Sequence, residues 1–550
     1  MNRRELLIVV GGAAVTATAP LSLAAESSAS STEPANLERW KSQAQALIPQ
    51  LIETEQLPVD LVRAVAALDS PLRFRMEREA AANELGGRVL RRGASVIVDF
   101  GGHRTGFLSF QLATEGREPD APVRLRLTFG EVPTDVAEPL HPYQGQLSEA
   151  WLPDEVINVD FLPQSVRMPR RYAFRYVKIE VIDTSPEFGL RIEKLRAHAV
   201  TSARATPAPL AGETALARRI DAVALATLRD CMQTTFEDGP RRDQRLWVGD
   251  LRLQALTNYH TFRQNDVVRR CLYLFAALPR ADGLVAACVF EKPAPRYGGL
   301  HIVDYAALFN VTLADYVEAT GDVVTGRDLW PVAKRQLEII GRDIDADGKY
   351  VDPGNMWIFI DWSQPLHKHA AIQGVLIYTA KATMALARRL GHASEAADLE
   401  ARILKMTAAA RRDYWDAKRR VFVSGPEKQI SWASQAWMAI AGVSSRAESA
   451  AALRTAIADP NAVRPVTPYL YHYVVEGLLA AGLPKDARAM LEKYWGGMVE
   501  AGADTFWEVY DPMQPLSSPY GDIHINSFCH AWSCTPSYFL RSGKLSRRNS

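Results

Sequence analysis

Acidic and aromatic side chains gather in a few short segments of the sequence, and their types suit chemistry on sugars. The densest segment, residues 236–250, mixes three aspartates with three arginines and a tryptophan. Its polar and aromatic members include Asp238, Arg241, Arg242, Asp243, Arg245, Trp247 and Asp250. Gly239-Pro240 disfavours a continuous helix, so the spacing predicts an ordered loop between two helices. A solvated loop of ion pairs would show the same spacing, so the pattern alone leaves both readings open.

Two other segments combine acids with aromatic residues. They are residues 357–362, with Asp361 and Trp362, and residues 503–512, with Trp507 and Glu508. An acid buried in such surroundings needs a partner or has a raised pKa. Aromatic packing around a satisfied acid would explain each segment equally well.

These residue types together point to hydrolysis of a glycoside. Aromatic faces cover the apolar side of a sugar ring, and carboxylates bind its hydroxyls. Hydrolysis by inversion needs a protonated carboxylic acid at the leaving oxygen and a carboxylate that activates water. The two groups can lie far apart in the chain, as Asp243 and Glu508 do. The sequence contains neither a Gly-rich phosphate loop nor a G-x-S-x-G nucleophile elbow.

Length and composition limit what the whole chain can be. A chain of 550 residues predicts two or three domains. Lys+Arg of 64 against Asp+Glu of 63 gives a net charge of +1, which disfavours nucleic acid or an anionic membrane as a partner. The five cysteines and scattered histidines show no metal-ligand spacing, so we expect no metal and no cofactor. Cys529 and Cys534 are expected either to pair or to remain buried thiols.

The first residues are typical of a targeting signal. Arg3-Arg4 precede an apolar run over 6–19, and Ser22-Leu23-Ala24 fits a cleavage site. We therefore expect a twin-arginine-like signal peptide over 1–24, with a general secretory signal as the alternative. A linker over 25–36 follows. The mature protein would be periplasmic or secreted, with no membrane contact after the signal is removed.

The spacing of apolar residues along the chain predicts the helices and strands that must position these segments. Residues 37–86 have helical spacing, and residues 87–202 show short strands without helices between them, as in an antiparallel β-sandwich. After a linker over 203–212, residues 213–545 contain twelve predicted helices, the last at about 525–541. Twelve helices make six hairpins, so we predict an (α/α)6 toroid. The apolar stretch Ile372 to Leu386 is typical of its inner helices.

With this domain order, the sequence resembles the bacterial α-L-rhamnosidases of glycoside hydrolase family seventy-eight. Residues 98–101 and 171–177 resemble the sandwich that precedes the catalytic domain in that family. The loop that carries the family's general acid and sugar-binding groups is matched at six positions. They are Asp238, Pro240, Arg242, Trp247, Gly249 and Asp250. Trp507-Glu508 is similar to the family segment ending in the water-activating glutamate, and His530 to the histidine near the sugar.

The resemblance implies an exo-acting, inverting glycosidase that releases terminal α-L-rhamnose or a similar sugar. At the general-acid position an equal-length match places Gln244 where the family has Glu, and an amide cannot donate the proton. Asp243 is therefore the predicted acid and Glu508 the predicted base, with Arg242 and Arg245 directed toward the sugar or toward Asp238 and Asp250. The predicted sugar-binding residues are Asp238, Arg242, Trp247, Asp250, Asp361, Trp362, Trp507 and His530.

Two other functions remain open at this point. A toroid can also host a polysaccharide lyase, in which a Tyr or His removes a proton, and His301 with Tyr305 or His530 with Tyr538 would be the candidate pairs. The amide at Gln244 would also fit a sugar-binding relative that has lost its chemistry.

Overall fold

The computed structural model describes residues 33–545. The predicted signal peptide and most of the linker after it lie outside the described residues. Helix α1 (Glu33–Ala46) begins inside the predicted linker. It packs against the helical domain, where the Trp40 indole donates a hydrogen bond of 3.2 Å to Asp328.

The predicted helical segment over 37–86 is wrong beyond Ala46. Three strands follow, β1 (Ile52–Gln56), β2 (Asp60–Ala66) and β3 (Phe74–Ala81), before a 3₁₀ turn at Ala82–Gly87. Leu51 and Ile52, which suggested a helix face, are exposed and pack against no core. Strand β1 forms because a distant partner, residues 197–201, pairs with it. Strands β2 and β3 pair with each other as a hairpin.

The remaining strands complete a nine-stranded antiparallel sheet. They are β4 (Ser95–Gly116), β5 (Val123–Gly130), β6 (Asp154–Val159), β7 (Gln164–Arg167), β8 (Tyr172–Asp183) and β9 (Phe188–Thr201). The long strand β4 pairs with β2, β7, β8 and β9, and its register with β8 shifts between Asp99 and Arg104. Alternate residues of β4, among them Leu108 and Leu112, are fully buried in one apolar core. The predicted antiparallel domain is therefore confirmed, with its first strand at Ile52.

The segment between β5 and β6 contacts the helical domain. Helix α2 (Pro133–Ala137) follows β5, and a 3₁₀ turn, Glu149–Trp151, precedes β6. Leu140 and Leu152 of this segment pack against Ile525 of the helical domain.

The helical domain consists of inner and outer helices. The inner helices are α4 (Val248–His260), α6 (Val303–Thr320), α8 (His369–Leu390), α10 (Trp432–Ile440) and α12 (Pro468–Ala480). The outer helices are α3 (Ala215–Cys231), α5 (Asn265–Ala277), α7 (Val323–Ile340), α9 (Ala393–Tyr414), α11 (Arg446–Ala458) and α13 (Pro484–Glu500). The inner helices neighbour one another in chain order, which confirms the predicted six-hairpin arrangement. Helix α8 is long and apolar enough to cross a membrane, but most of it is buried in this ring.

Irregular backbone replaces most of the predicted twelfth helix. Residues 525–541 contain a 3₁₀ turn at Ala531–Ser533 and only the short helix α14 (Pro536–Arg541). The backbone N–H groups here bind other segments: His530 donates to Phe506 O at 2.8 Å, and Ala531 to Asp238 O at 2.7 Å. The Ala531–Ser533 turn closes the ring between α12 and α4.

Two small three-stranded sheets lie within the helical domain. One combines β10 (Leu246–Trp247), β11 (Cys288–Phe290) and β12 (Arg296–Tyr297), and the other combines β13 (Trp415–Asp416), β14 (Val421–Ser424) and β15 (Gln429–Ile430). The first fixes Trp247 immediately before α4.

Candidate active site

One cavity of ≈ 290 Å³ brings together eight of the ten residues that the sequence predicts for the site. The eight are Asp238, Arg242, Asp243, Trp247, Asp250, Trp362, Glu508 and His530. Segments from opposite ends of the helical domain therefore meet at one place, as the two-carboxylate interpretation requires.

Hydrogen bonds within residues 238–245 close the first segment into a compact loop. The Asp238 carboxylate accepts the backbone N–H of Asp243 at 3.2 Å and that of Arg245 at 3.1 Å. Gly239 is required here, because a Cβ atom at this position would lie 2.6 Å from Arg242 O and 2.7 Å from Ser527 Oγ.

The loop turns the side chains of Asp243 and Gln244 in different directions. The Asp243 side chain lines the cavity. The Gln244 amide instead donates a hydrogen bond of 2.8 Å to Pro240 O. Gln244 has a φ of 60°, a left-handed conformation that turns the chain at this point. An acid rather than an amide therefore faces the cavity, which removes the observation that favoured a catalytically silent relative.

Burial perturbs the acids at the inner end of the cavity. Burial and the neighbouring Asp243 carboxylate raise the pKa of Asp238 to about 8. Burial, together with Asp238, raises the pKa of Asp250 well above its ordinary range. Burial also holds the pKa of His530 well below its usual value, with Arg242 adding to the effect, so this imidazole is neutral at ordinary pH.

Glu508 is held as a buried carboxylate by three donors. The Tyr520 hydroxyl donates to Oε1 at 2.5 Å, and the Ser527 N–H donates to Oε2 at 3.3 Å. The Arg242 guanidinium forms an ion pair with the same Oε2. Burial alone would lower the pKa of Arg242, but Glu508 and other neighbours raise it above its ordinary value, so the guanidinium stays charged.

Arg242 and Arg245 both line the cavity, and each is held by partners that the sequence analysis did not name. Besides its pairing with Glu508, Arg242 donates from Nε to Ile525 O at 2.9 Å and lies 4.4 Å above the Tyr520 ring. Arg245 lies 3.5 Å from the Asp243 carboxylate and stacks 4.1 Å over Phe290. Both side chains line the cavity, where they can reach a sugar, but their acidic partners are Glu508 and Asp243 rather than Asp238 and Asp250.

Asp361 and Trp507 do not line the cavity. Asp361 accepts the Val466 N–H at 2.9 Å and the Thr467 hydroxyl at 2.5 Å, so it secures the start of α12. Burial raises its pKa to about 6, although these hydrogen bonds oppose the rise. Trp507 is 1% exposed and packs edge-on against Phe528. The structure therefore places neither residue in the cavity wall, and both support the segments around the site.

Sequence reasoning missed several aromatic residues of the cavity wall. They are Tyr305, Trp357, Phe359, Tyr520 and Trp532. Trp357 and Phe359 lie within residues 357–362, a segment that the sequence marks as aromatic. Tyr520 lies in an irregular stretch with no such signal.

The β-domain also contributes to the wall, which the sequence did not predict. Leu147, Ser148 and Trp151 line the cavity from the connection before β6. Ser148 and its neighbours are more exposed than Asp238 and Glu508. This contribution therefore lies toward the mouth of the cavity.

The residue pairs proposed for a lyase are not formed. Tyr538 packs against Phe539 and His472, away from His530, which packs 4.2 Å from Trp532. Tyr305 faces Asp250 at 3.4 Å rather than His301, whose ring lies against Tyr297.

Neither metal clusters nor disulfides occur among residues 33–545. No group of three or more His, Cys, Asp or Glu side chains there could hold a metal ion. All five cysteines, which lie in this range, are free and buried. Cys534 donates to the Thr257 hydroxyl at 3.3 Å instead of pairing with Cys529.

Two family profiles match the chain along nearly its whole described length. The N-terminal domain of glycosyl hydrolase family 78 alpha-rhamnosidases matches residues 58–199. The bacterial alpha-L-rhamnosidase six-hairpin glycosidase domain matches residues 211–543. A comparison with curated protein sequences gives no significant match.

Solved structures agree with these matches. A rhamnosidase from Klebsiella oxytoca, solved with rhamnose bound, shares 43% sequence identity at a TM-score of 0.90, covering 92% of this chain and 98% of its own. The family 78 rhamnosidase of Bacillus sp. GL1 is 23% identical, with a TM-score of 0.69 over 85% of this chain and 49% of its own. An α-L-rhamnosidase from Streptomyces avermitilis, complexed with L-rhamnose, is 15% identical, with a TM-score of 0.64 over 90% and 44%. The last two show the fold alone.

The fold and the cavity define a six-hairpin glycoside hydrolase. Because the six-hairpin profile alone covers more than half of its length, the chain belongs to the bacterial α-L-rhamnosidase family.

Proposed function

We propose that the protein is an exo-acting α-L-rhamnosidase that removes a terminal α-L-rhamnose, or a closely related sugar, with inversion at the anomeric carbon. The observation that carries the proposal is that Asp243 and Glu508 line one cavity among aromatic side chains. A cavity of ≈ 290 Å³ is small for a ligand pocket, which favours a single terminal sugar. The rhamnose bound by the Klebsiella oxytoca relative supports the choice of sugar.

Asp243 is the proposed proton donor. Its neighbour Asp238 has a pKa of about 8 because of burial and the Asp243 charge, so the two carboxyl groups together hold a proton at neutral pH. Asp238 accepts the N–H groups of Asp243 and Arg245, which fixes its own carboxylate below the loop. The more exposed Asp243 is then the group that reaches the leaving oxygen.

Glu508 is the proposed base. The ion pair with Arg242 and the hydrogen bond from Tyr520 orient its carboxylate. A carboxylate has about four acceptor positions, so these contacts still leave room for a water molecule. That water would attack the anomeric carbon from the face opposite Asp243, and Glu508 would take its proton.

Unpartnered polar atoms at the inner end of the cavity are the proposed contacts to sugar hydroxyls. Asp250 Oδ1, His530 Nδ1 and Trp247 Nε1 are buried and have no hydrogen-bond partner among the described residues. Native proteins seldom leave such groups unsatisfied, so a bound ligand is their natural partner. Trp362 lines the same cavity and offers an aromatic face to the sugar ring.

The test is rhamnose release by the purified protein from aryl and alkyl α-L-rhamnosides and from rhamnose-bearing oligosaccharides. Glu508→Gln, nearly identical in shape, is the control for contaminating activity, and we expect it to lose about a hundredfold or more. Release by the wild-type protein that the variant lacks supports the proposal. Absence of release from the whole panel would overturn it.

A further inference from the structure

A buried cluster of charged residues joins the two domains beside residues 238–245. This loop carries Asp243 and is called the catalytic loop below. Glu131 and Asp135 come from the β-domain, and Arg241 comes from the loop that holds Asp243. Their side chains are at most 2% exposed. No step of the proposed reaction uses them.

Arg241 has several ion-pair and hydrogen-bond partners within this cluster. Its Nε lies 3.1 Å from Glu131 Oε2, and its Nη1 donates to Asp135 Oδ1 at 3.2 Å, with a second contact from Nη2 to Asp135. Nη1 also donates to the carbonyls of His524 at 3.2 Å and Asn526 at 3.1 Å. One guanidinium therefore links the β-domain to the catalytic loop and to the stretch 524–526, which precedes the Ser527 N–H that binds Glu508.

Hydrogen bonds to other groups also hold the carboxylates of Glu131 and Asp135 in place. Asp135 accepts the backbone N–H of Glu131 at 2.9 Å and that of Val132 at 3.3 Å. Glu131 accepts the Phe528 N–H at 2.7 Å and lies 3.0 Å from His103. Burial alone would raise the pKa of Asp135, but Arg241 lowers it, so the pair is ionic.

Arg241 is two residues before Asp243 in a loop that internal hydrogen bonds hold compact. The loop is closed by Asp238, which accepts the Asp243 N–H, and by the Gln244 N–H donating to Gly239 O at 3.1 Å. A shift of Arg241 must therefore carry Asp243 with it. Displacements of about 1 Å can cost about a hundredfold in rate when a reacting group loses its alignment.

We propose that Glu131 and Asp135 of the β-domain are positioning residues that hold the proton donor Asp243 in place through Arg241. This inference rests on the proposed role of Asp243 as the acid. The β-domain then forms part of the catalytic centre, although its carboxylates touch no substrate.

The test compares Asp135→Asn and Glu131→Gln, each nearly isosteric, on two α-L-rhamnosides. One substrate has an alkyl leaving group, which needs protonation, and the other has an activated aryl leaving group, which needs little. We expect kcat on the alkyl substrate to fall about tenfold or more, kcat on the aryl substrate to fall much less, and KM to change less than about twofold. The folded fraction is measured by circular dichroism, and whichever variant folds carries the test.

Glu155→Gln is the matched control. It removes an ion pair of 2.7 Å with Arg170, and the side-chain partners of Glu155, Arg170 and Tyr172, both lie in the β-domain. We expect equal, small effects on both substrates. A purely structural role for Glu131 and Asp135 would likewise lower both rates equally, and equal losses or none would overturn the proposal.

Asp243→Asn, measured beside them, separates this inference from the proposed function. If Asp243→Asn shows the leaving-group selectivity and the β-domain variants do not, only the positioning role fails. If Asp243→Asn itself shows none, the assignment of the acid fails and this inference fails with it.

Discussion

The Tyr520 hydroxyl donates a hydrogen bond of 2.5 Å to Oε1 of Glu508, and the ring of the same tyrosine lies 4.4 Å beneath the Arg242 guanidinium. Arg242 in turn pairs with the other oxygen of Glu508. Tyr520 therefore touches both groups that orient the proposed base, although it comes from a stretch without regular secondary structure.

Replacing Tyr520 with Phe removes only the hydroxyl. Hydrogen bonds to charged groups contribute about 1.5–3 kcal/mol, so we expect kcat to fall by about tenfold or more, with the ring still beneath Arg242. Steady-state kinetics on an aryl α-L-rhamnoside measures the change. Tyr494→Phe is the control, because that hydroxyl donates to Tyr510 O at 2.8 Å and does not line the cavity. An unchanged kcat in Tyr520→Phe would show that the base needs no such orientation.

Replacing Asp243 with Asn removes the proposed proton donor. We expect kcat to fall about a hundredfold or more on substrates with alkyl leaving groups and much less on activated aryl rhamnosides. A series of leaving groups of different pKa measures the effect as a steeper dependence of rate on that pKa. Equal losses along the series would assign Asp243 to binding instead.

The proton shared by Asp238 and Asp243 predicts how kcat/KM changes at alkaline pH. Because burial and Asp243 raise the pKa of Asp238 to about 8, the pair keeps its proton below that pH and loses it above. We expect kcat/KM to fall above about pH 8. In Asp238→Asn the repelling carboxylate is gone, so the fall should move to lower pH. An alkaline limb that does not move would contradict the coupling between the two acids.

The mouth of the cavity predicts a role for the β-domain in choosing the leaving group. Trp151 lines the cavity and packs with the apolar cluster around Leu152. Loss of part of an indole contact is worth about 1 kcal/mol at ~25 cal/mol per Å², so Trp151→Ala should raise KM several-fold for bulky leaving groups. Methyl α-L-rhamnoside should be nearly unaffected. Trp415→Ala, outside the cavity, is the control; equal effects on both substrates would count against this role.

Much of the fold follows from local patterns. Eleven of the twelve predicted helices are present, because their apolar spacing repeats over more than two turns. Strand β1 was mistaken for helix because it is short and its pairing partner lies far away: Ile52 pairs with Thr201. The hairpin of β2 and β3 was missed although the two strands pair with each other. The last predicted helix fails for a related reason, since its N–H groups bind the loops of the site.

The site, too, was predicted from the sequence only in part. Residue type and spacing correctly marked Asp238, Asp243, Asp250 and Glu508 as one group around a cavity. They did not show which way a side chain turns: Asp361 faces Val466, 105 residues away. Trp151 carries no local signal, because its place in the wall depends on how the two domains pack.

The most direct test of the two-carboxylate account is proton NMR of the first sugar released. Inversion at an α-L-rhamnoside predicts that the β anomer of the sugar appears first and then equilibrates with the α anomer. The spectra are recorded with enough enzyme to finish hydrolysis before mutarotation. Early accumulation of the β anomer is the predicted result; early accumulation of the α anomer would contradict inversion by Asp243 and Glu508.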